Sequence, residues 1–290
     1  RILKLHQRCA HASPDRLEHI IVNCSNTGCL PGDSRYMPVC NECLIGGHDH
    51  SRAHQHSPST TMMTLIRQWR PGEYLMFDVN ELPVYSALGH FRYAFTAICP
   101  VSQYRWIAFT SRVDTRDYLD FVNYIQTEIR QRLGWGPRVL YCDDFSTFHQ
   151  QFEVAAAYSE FGVQCLSTPA EMHWLNGAAE NSIRILTRHT RILLSQFVGA
   201  VIAGTVIRDP QPFWPLAMEN ARQLINSMPN SVNYKLYGVP LAPVQVLTGQ
   251  VDTKVDVGKF HRFGDLAYVV DYVRDRAGKL VRPVLKHQNH

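Results

Sequence analysis

The sequence lacks the long apolar segments and the excess of one charge sign that mark several protein classes. It has no run of 18 or more apolar residues and no charged-then-apolar N-terminus, so we predict neither a membrane-spanning helix nor a signal peptide. The net charge of +4 permits a polyanionic partner without requiring one. With 290 residues, 45% of them hydrophobic and 19% charged, the chain can form one large domain or two to three smaller folded domains.

Cysteine is sparse outside the N-terminal region, since five of the eight cysteines lie within the first 43 residues. No secretion signal accompanies them, which favours a metal site in a reducing compartment over a disulfide framework. The ligand types and spacing of a structural zinc site are found in His6-x4-His11 and Cys40-x2-Cys43. On spacing alone, Cys24-x4-Cys29 could combine with the same downstream Cys pair. Physical chemistry does not separate the two sets, because Zn²⁺ accepts both thiolate and imidazole ligands.

Four segments differ in character. Residues 1–45 are rich in Cys and His, include a predicted helix at 15–22, and form a predicted zinc-binding helical domain. Because fewer than 50 residues bury little core, we expect metal binding to supply on the order of 10 kcal/mol of its folding free energy. Residues 46–72 are polar and His-rich, typical of a linker. Residues 73–230 form the predicted core domain, and residues 231–290 a small β-rich region.

The order of elements predicts a ribonuclease-H-like α/β fold for the core. Strands are predicted at 74–79, 92–99, 104–110, 139–142 and 163–166, and helices at 115–133, 152–161, 178–196 and 213–228. Three strands, a helix, a strand, a helix, a strand and then helices is the order of that fold. On order alone, a generic doubly wound α/β protein is an alternative.

Three carboxylates stand where such a core would hold catalytic metal ions. Asp78 lies near the end of the first predicted strand, Asp143 directly follows a short apolar strand, and Glu180 lies in the first turn of a predicted helix. Carboxylates from separate elements can hold two divalent ions about 3.5–4 Å apart for phosphoryl transfer. Asp144 competes with Asp143 for the second position. Taken singly, each of these residues is more typical of a turn or a helix N-terminus.

Six short motifs follow one another along nearly the whole chain. They are 5–11 (LHQRCAH), 39–43 (VCNEC), 138–148 (RVLYCDDFSTF), 176–180 (NGAAE), 243–249 (PVQVLTG) and 263–269 (FGDLAYV). In order and mutual spacing they resemble the integrase of copia-type LTR retrotransposons, a relative of retroviral integrases. The resemblance implies that the zinc ligands are His6, His11, Cys40 and Cys43. It also implies that the catalytic carboxylates are Asp78, Asp143 and Glu180.

The resemblance implies DNA strand transfer, in which 3′-hydroxyl ends of element cDNA attack phosphodiesters of target DNA. It implies two Mg²⁺ or Mn²⁺ ions at the carboxylates, one structural Zn²⁺, and a homo-multimer, tetramer or larger, on DNA. It further implies action in the nucleus after a cytoplasmic virus-like particle, with no membrane partner. Because the chain begins with Arg1, we expect it to be part of a larger polyprotein or a shortened piece.

The sequence departs from the family pattern at three places. The glycines that usually follow the second catalytic Asp are replaced by residues 144–147 (DFST), and Asn181 stands where a basic residue commonly follows the catalytic Glu. The linker carries His where the family often has Lys. Because all three carboxylates are retained, we expect a competent site whose rate the altered loop could change.

Basic residues on the helix of Glu180 predict where DNA would bind. Arg184, Arg188 and Arg191 lie at i+4, i+8 and i+11 from that carboxylate, in position to hold the phosphates of a DNA end. A solvated helix face is the alternative interpretation.

A second basic set lies toward the C-terminus. Arg274, Arg276 and Lys279 belong to a predicted hairpin with strands at 266–272 and 279–285. This hairpin could contact DNA or serve multimer assembly.

Two other functions stay open at this point. One is a cut-and-paste DNA transposase or nuclease of the same fold, which would excise or cleave DNA instead of joining preformed ends. The other is a non-catalytic, domesticated DNA-binding derivative, suggested by the altered loop after Asp143.

Overall fold

A computed structural model of the chain describes residues 1–9, 11–46, 68–142, 162–167, 177–199, 201–202, 205–261, 263, 273–274 and 280–281. The predicted helix at 152–161, the carboxylate Asp143 and most of the predicted linker lie outside these residues. In the part that is described, no helix is long and apolar enough to cross a membrane.

The fold is mixed α/β, built on a five-stranded sheet in the order β3-β2-β1-β4-β5. The strands are β1 Tyr74–Glu81, β2 Tyr93–Ile98, β3 Arg105–Thr110, β4 Val139–Cys142 and β5 Gln164–Ser167. The first three pair antiparallel, whereas β1 with β4 and β4 with β5 pair parallel. All five lie within two residues of their predicted bounds. Short antiparallel pairs join β6 Val201–Ile202 to β7 Thr205–Val206 and β8 Val273–Arg274 to β9 Leu280–Val281.

The helices of the described residues fall into three groups along the chain. They are α1 Ile2–Arg8, α2 Pro14–Asn23 and α3 Asn41–Gly46, then α4 Thr115–Leu133, α5 Gly177–Phe197 and α6 Trp214–Ser227, and finally α7 Ser231–Tyr237 and α8 Pro243–Thr248. Short 3₁₀ helices occupy Asp33–Tyr36, Gln211–Phe213 and Val257–Lys259.

Helix α4 has the bounds that the sequence predicts, because its end signals are strong. The Asp114 carboxylate accepts a hydrogen bond from the Asp117 N–H at the start, and Gly134 ends the helix with a φ of 78°. The apolar spacing predicts a buried face made of Leu119, Val122, Ile125 and Ile129. The last three are buried, but Leu119 is half-buried, and Tyr118 and Phe121 are buried in its place. These two aromatic rings contact Phe77 and Phe95 of the sheet, so ring packing rather than Leu119 sets the rotation of the helix.

The sheet is covered on both faces. Leu75 and Phe77 of β1 face α4, and the alternate residue Met76 faces the opposite side, where it packs against Ala179 of α5. Along β2 and β3 the same opposite face packs against the apolar sides of α5 and α6, with Trp214 and Met218 fully buried. The fold is thus a three-layer arrangement of helix, sheet and helices.

The N-terminal helices do not form an independent core. Leu17 and Ile20 of α2 pack in one buried cluster with Leu224 and Met228, at the end of α6, and with Val257. The Arg8 side chain donates hydrogen bonds to the carbonyls of Phe260 and Val257, which fixes the distal segment against α1. The sequence predicts that this small region depends on a bound metal for its stability. The structure shows that apolar side chains from outside the region also contribute to its core.

The predicted β-rich region at 231–290 is wrong in its first part, which is helical over α7 and α8. The physical reason is a set of helix end signals. Asn230 caps α7, Pro243 opens α8, and Gly238 and Gly249 end the two helices in the left-handed conformation. Leu247 of α8 lies in the main buried core, and Leu236 of α7 packs against it, so these helices belong to the core packing.

The C-terminal hairpin is described at four residues. Val273 pairs with Val281 and Arg274 with Leu280, antiparallel as expected. The first strand segment thus lies just beyond the predicted strand at 266–272, while the turn and the outer parts of both strands fall outside the described residues.

The edge of the sheet at β3 is closed by a side chain. The Asn226 amide of α6 accepts from the Arg105 N–H at 2.9 Å and donates to the Arg105 carbonyl at 2.8 Å, as a neighbouring strand would. The Arg105 carbonyl also accepts from the Arg222 guanidinium at 3.4 Å, whereas Asn226 is the acceptor of the Arg105 N–H; both Arg105 and Asn226 are buried.

We predict that Asn226→Leu lowers the free energy of unfolding by about 1–3 kcal/mol, because it leaves the buried Arg105 N–H without its acceptor. Urea unfolding followed by circular dichroism measures the change. The matched control is Gln223→Leu, an exposed position on the same helix, which should change stability by less than about 0.5 kcal/mol. Equal effects of the two substitutions would contradict the role assigned to Asn226.

Candidate functional site

Four side chains in and beside the N-terminal helices form a compact group of metal-ligand type, called the His–Cys group below. The potential ligand atoms of His6, His11, Cys40 and Cys43 all lie within 4.8 Å of one another. The His6 Nε2 atom lies 3.1 Å from Cys43 Sγ and 3.1 Å from His11 Nδ1, and both thiol sulfurs lie 3.3 Å from His11 Nδ1. Two nitrogens and two sulfurs at this separation fit a tetrahedral ion, and this donor set is one that zinc favours.

Local structure explains how residues so far apart in sequence meet. His6 lies in the last turn of α1, and His11 follows it in the left-handed conformation with a φ of 56°, a turn that returns its side chain toward α1. Cys40 immediately precedes α3 and Cys43 lies in its first turn, so the two thiols share one end of that helix. His6 Nδ1 lies 2.9 Å from the Ala12 carbonyl and donates to it, which leaves Nε2 unprotonated and able to bind a metal ion.

The electrostatics of the group favour neutral side chains in the absence of a cation. Burial lowers the pKa of His6, and burial together with the neighbouring His6 ring lowers the pKa of His11 to about 4. Burial and the Glu42 carboxylate raise the pKa of Cys40 to about 12, and burial raises the pKa of Cys43. A divalent ion would supply the positive charge that turns these thiols into thiolates.

The alternative ligand pair, Cys24 with Cys29, does not lie in this group. Cys24 and Cys29 pack instead with Cys9 in the apolar cluster of the N-terminal helices. Burial raises the pKa of Cys24 to about 11, as expected for an inert buried thiol. Among the described residues, the group of His6, His11, Cys40 and Cys43 is the one whose His, Cys, Asp or Glu ligand atoms could hold a metal ion.

Asp78 lies inside β1 and not at its end, since the strand continues to Glu81. Asp78 is nevertheless the first residue of β1 beyond its parallel pairing with β4, because that pairing stops at Phe77 opposite Cys142. Asp78 is half-buried, and one carboxylate oxygen accepts from the Val79 N–H at 2.8 Å. By alternation along the strand, Asp78 shares the face of Met76, which is the face that α5 covers.

Glu180 lies in the first turn of α5 and is exposed. Two contacts fix the path of this helix over β1: Ala179 packs against Met76, and the Asn80 amide lies 3.4 Å from the Thr187 hydroxyl, to which it donates. Met76 and Asn80 flank Asp78 on one face of the strand, and Glu180 and Thr187 lie about two turns apart on one side of the helix. The structure therefore brings the Asp78 face of β1 and the Glu180 end of α5 together.

Asp143 lies outside the described residues. The residue before it, Cys142, is the last of β4 and is paired with Phe77, the residue before Asp78. Two of the three predicted carboxylates are thus located in the structure. The competition between Asp143 and Asp144 stays open, since both lie outside the described part.

The three arginines predicted on α5 are exposed. The Arg184 guanidinium donates to the Asn181 side chain at 2.7 Å, close to Glu180. Burial raises the pKa of the Cys43 thiol, and the positive charge of Arg188 opposes that effect. Of the C-terminal set, Arg274 is part of β8, while Arg276 and Lys279 lie outside the described residues.

Arg105 is a residue of the site region that sequence reasoning missed. Its side chain is 4% exposed, and its Nε donates to the Ser182 hydroxyl at 2.9 Å, two residues after Glu180. Burial lowers the pKa of Arg105 to about 9. The hydrogen bond ties β3 to the first turn of α5 and so helps to fix Glu180. The available signal was an Arg at the start of an otherwise apolar strand, RWIAFT.

Comparison with known proteins finds distant relatives among retrotransposon polyproteins. The chain is 27% identical over 226 residues to the Retrovirus-related Pol polyprotein from transposon RE1 of Arabidopsis thaliana, with 77% of this chain and 14% of the relative covered. It is 25% identical over 244 residues to the corresponding polyprotein from transposon RE2, also of Arabidopsis thaliana, with 81% of this chain and 15% of the relative covered. No family model matches the sequence.

The chain is similar to a region of retrotransposon Pol polyproteins. It spans about one seventh of the length of these curated relatives, as the coverage of 14% and 15% shows. This similarity supports a function connected with retroelements. It does not by itself distinguish one enzymatic segment of a Pol polyprotein from another.

We predict that Cys43→Ala abolishes binding of one Zn²⁺ per chain, because two thiolates and two imidazoles are needed to complete a tetrahedral site. Metal content by plasma mass spectrometry and competition with a chromophoric chelator measure the stoichiometry. Cys29→Ala is the matched control and should still bind one ion. Because Cys43 belongs to both candidate sets, the control decides between them: loss of zinc from the Cys29 variant as well would favour the alternative ligand set.

Proposed function

We propose that the chain is an integrase of a copia-type LTR retrotransposon, with a ribonuclease-H-like catalytic core that joins 3′ ends of element cDNA to target DNA. The observation that carries the proposal is the placement of helix α5, whose Glu180 end lies over the strand face that bears Asp78. The similarity to retrotransposon Pol polyproteins supports a retroelement enzyme. The mixed sheet, with three antiparallel strands followed by two parallel ones, is compatible with the proposed fold.

Three carboxylates from separate elements suit phosphoryl transfer with two divalent ions. Asp78, Asp143 and Glu180 would hold two Mg²⁺ or Mn²⁺ ions, which supply charge stabilisation for the attacking and leaving oxygens. In the reaction, the 3′-hydroxyl oxygen of the cDNA forms a bond to a target phosphorus. The bond from that phosphorus to its own 3′ oxygen breaks, and the target strand is released with a 3′-hydroxyl. The protein itself positions the carboxylates. Strand β1 is fixed in the centre of the sheet, and α5 is anchored through the hydrogen bond between Ser182 and Arg105.

The His–Cys group is proposed to bind one structural Zn²⁺. The donor set and the separation of its atoms fit that ion, and the His6 Nδ1 contact with the Ala12 carbonyl sets the tautomer that a ligand needs. The ion would hold α1 and α3 together against the C-terminal half of α5.

DNA is the proposed partner of the exposed face of α5. Arg184, Arg188 and Arg191 would contact phosphates of the cDNA end, with Arg274, Arg276 and Lys279 of the C-terminal hairpin as further contacts. We also propose that the protein acts as a multimer, a tetramer or larger, on cDNA and target DNA in the nucleus, after a virus-like particle stage.

The central test is strand transfer with duplex oligonucleotides that carry the element's terminal repeats, a plasmid target and Mg²⁺. We predict joined products with the wild-type chain and a decrease of about 100-fold or more with Glu180→Gln, because that substitution removes one charged metal ligand. Asp120→Asn is the matched control, since it makes the same change from carboxylate to amide. Asp120 is exposed on α4, on the other face of the sheet, and its variant should keep wild-type activity.

Different outcomes separate the competing functions. Full activity in the Glu180 variant would refute the assignment of the site. Donor excision or simple cleavage, without joining, would favour a transposase or nuclease. DNA binding without any metal-dependent product would favour a domesticated, non-catalytic derivative, the interpretation that the altered residues 144–147 motivate.

Arg184→Ala is predicted to weaken DNA binding by a similar factor for all duplex sequences, because phosphate contacts carry no sequence information. It should also reduce the slope of log affinity against log salt by about 0.9, the contribution of one phosphate contact. Fluorescence anisotropy between about 50 and 200 mM salt measures both quantities. Arg130→Ala, exposed on α4, serves as the control and should leave the slope unchanged.

A further inference from the structure

The C-terminal end of α5 reaches the His–Cys group. The Gln196 amide contacts Nε2 of His11 within hydrogen-bond distance, and the Ser195 hydroxyl lies 3.4 Å from the Glu42 carbonyl between the two cysteines. Helix α3, which carries Cys43, packs directly on α5. The same helix that begins at the candidate catalytic carboxylate therefore ends beside the candidate zinc ligands.

The tautomer of His11 determines whether its Nε2 atom requires a hydrogen-bond donor or an acceptor from Gln196. His11 Nδ1 is the atom that faces the two sulfurs and His6, so it is the ligand atom of this ring. A ring that binds metal through Nδ1 carries its proton on Nε2, and this N–H requires an acceptor. The Gln196 atom that now faces Nε2 is the amide nitrogen, which is a donor.

The oxygen atom of the same amide lacks a hydrogen-bond donor among the described residues. Gln196 Oε1 is buried and has no hydrogen-bond partner within the described part of the chain. Rotating the amide by half a turn would present Oε1 to the His11 N–H, so that both of these atoms gain a hydrogen-bond partner, and the amide nitrogen would take the former place of Oε1. The oxygen and nitrogen of a side-chain amide have nearly the same shape, so the rotation needs no other movement.

We propose that Gln196 is the outer-shell partner of His11, a positioning residue whose amide oxygen accepts from the Nε2–H when Nδ1 binds zinc. The zinc site would then be completed only when α5 is docked on α3. Glu180 and Gln196 are 16 residues apart in the single helix Gly177–Phe197, about 24 Å along its axis. Zinc binding would thus stabilise the helix that presents the catalytic carboxylate. The proposal rests on the zinc centre of the proposed function and not on strand transfer.

Three substitutions at Gln196 in the full chain test the proposal through zinc affinity, measured by competition with a chromophoric chelator. Glu offers only acceptor atoms, so Gln196→Glu should keep or raise the affinity. Gln196→Leu and Gln196→Lys remove the acceptor and should weaken binding by about 10- to 100-fold, as loss of an outer-shell partner does. Gln223→Leu, exposed on α6, is the matched control and should bind zinc as the wild type does.

The reverse pattern, with Lys tolerated and Glu disruptive, would overturn the proposal, because it would show that His11 accepts from a donor. Equal zinc affinity in all three variants would overturn it as well. If the Leu variant does not fold, nitrogen-15 correlation spectra of the zinc-loaded wild type decide, since His11 must show a protonated Nε2 and a metal-bound Nδ1. Failure of the wild type to bind any zinc would instead refute the zinc centre of the proposed function.

Discussion

Helix α5 packs against the rest of the protein along its whole length. Near its start, Ala179 packs on Met76 and Ser182 accepts from Arg105. In its middle, Leu186 and Leu193 pack against α6 and the sheet. Near its end, Gln196 contacts His11. Since one rigid helix makes all these contacts, a shift at any of them moves the others, and the position of Glu180 depends on packing far from itself.

Buried polar groups set the geometry around this helix more narrowly than apolar contacts alone would. The Arg105 side chain of β3 is buried against α5, and the Asn226 side chain of α6 pairs with the Arg105 backbone. Apolar side chains tolerate small sliding movements, whereas a buried donor loses its partner if it moves by an ångström or so. We infer that the Arg105 contacts fix the register of two helices against the edge of the sheet.

Much of the architecture could be predicted from the sequence because the local signals are strong. Short apolar runs rich in aromatic and branched residues locate β1 to β5, and Asp114 with Gly134 gives α4 its observed bounds. The grouping of His6 and His11 with the distant cysteines follows from spacing and family resemblance. The zinc itself, and the catalytic role of Asp78, Asp143 and Glu180, stay predictions.

Other features could not be predicted, for identifiable physical reasons. The helices at 231–248 have end signals as clear as those of α4, but the expectation of a β-rich region outweighed them. Arg105, Asn226 and Gln196 act through partners at least 77 residues away in sequence, such as Ser182 for Arg105. Local sequence patterns do not predict such contacts, because the contacts depend on how the helices and strands pack in the folded protein.

The apolar cluster that joins Leu17 to Leu224 and Met228 has a consequence for where the protein can be divided. The histidine-rich stretch at 46–72 is a break in composition, yet the buried interior extends to both sides of it. Cutting the chain there would expose the apolar side chains at the end of α6 to water. This polar, histidine-rich stretch is therefore a poor place to separate the chain into two fragments.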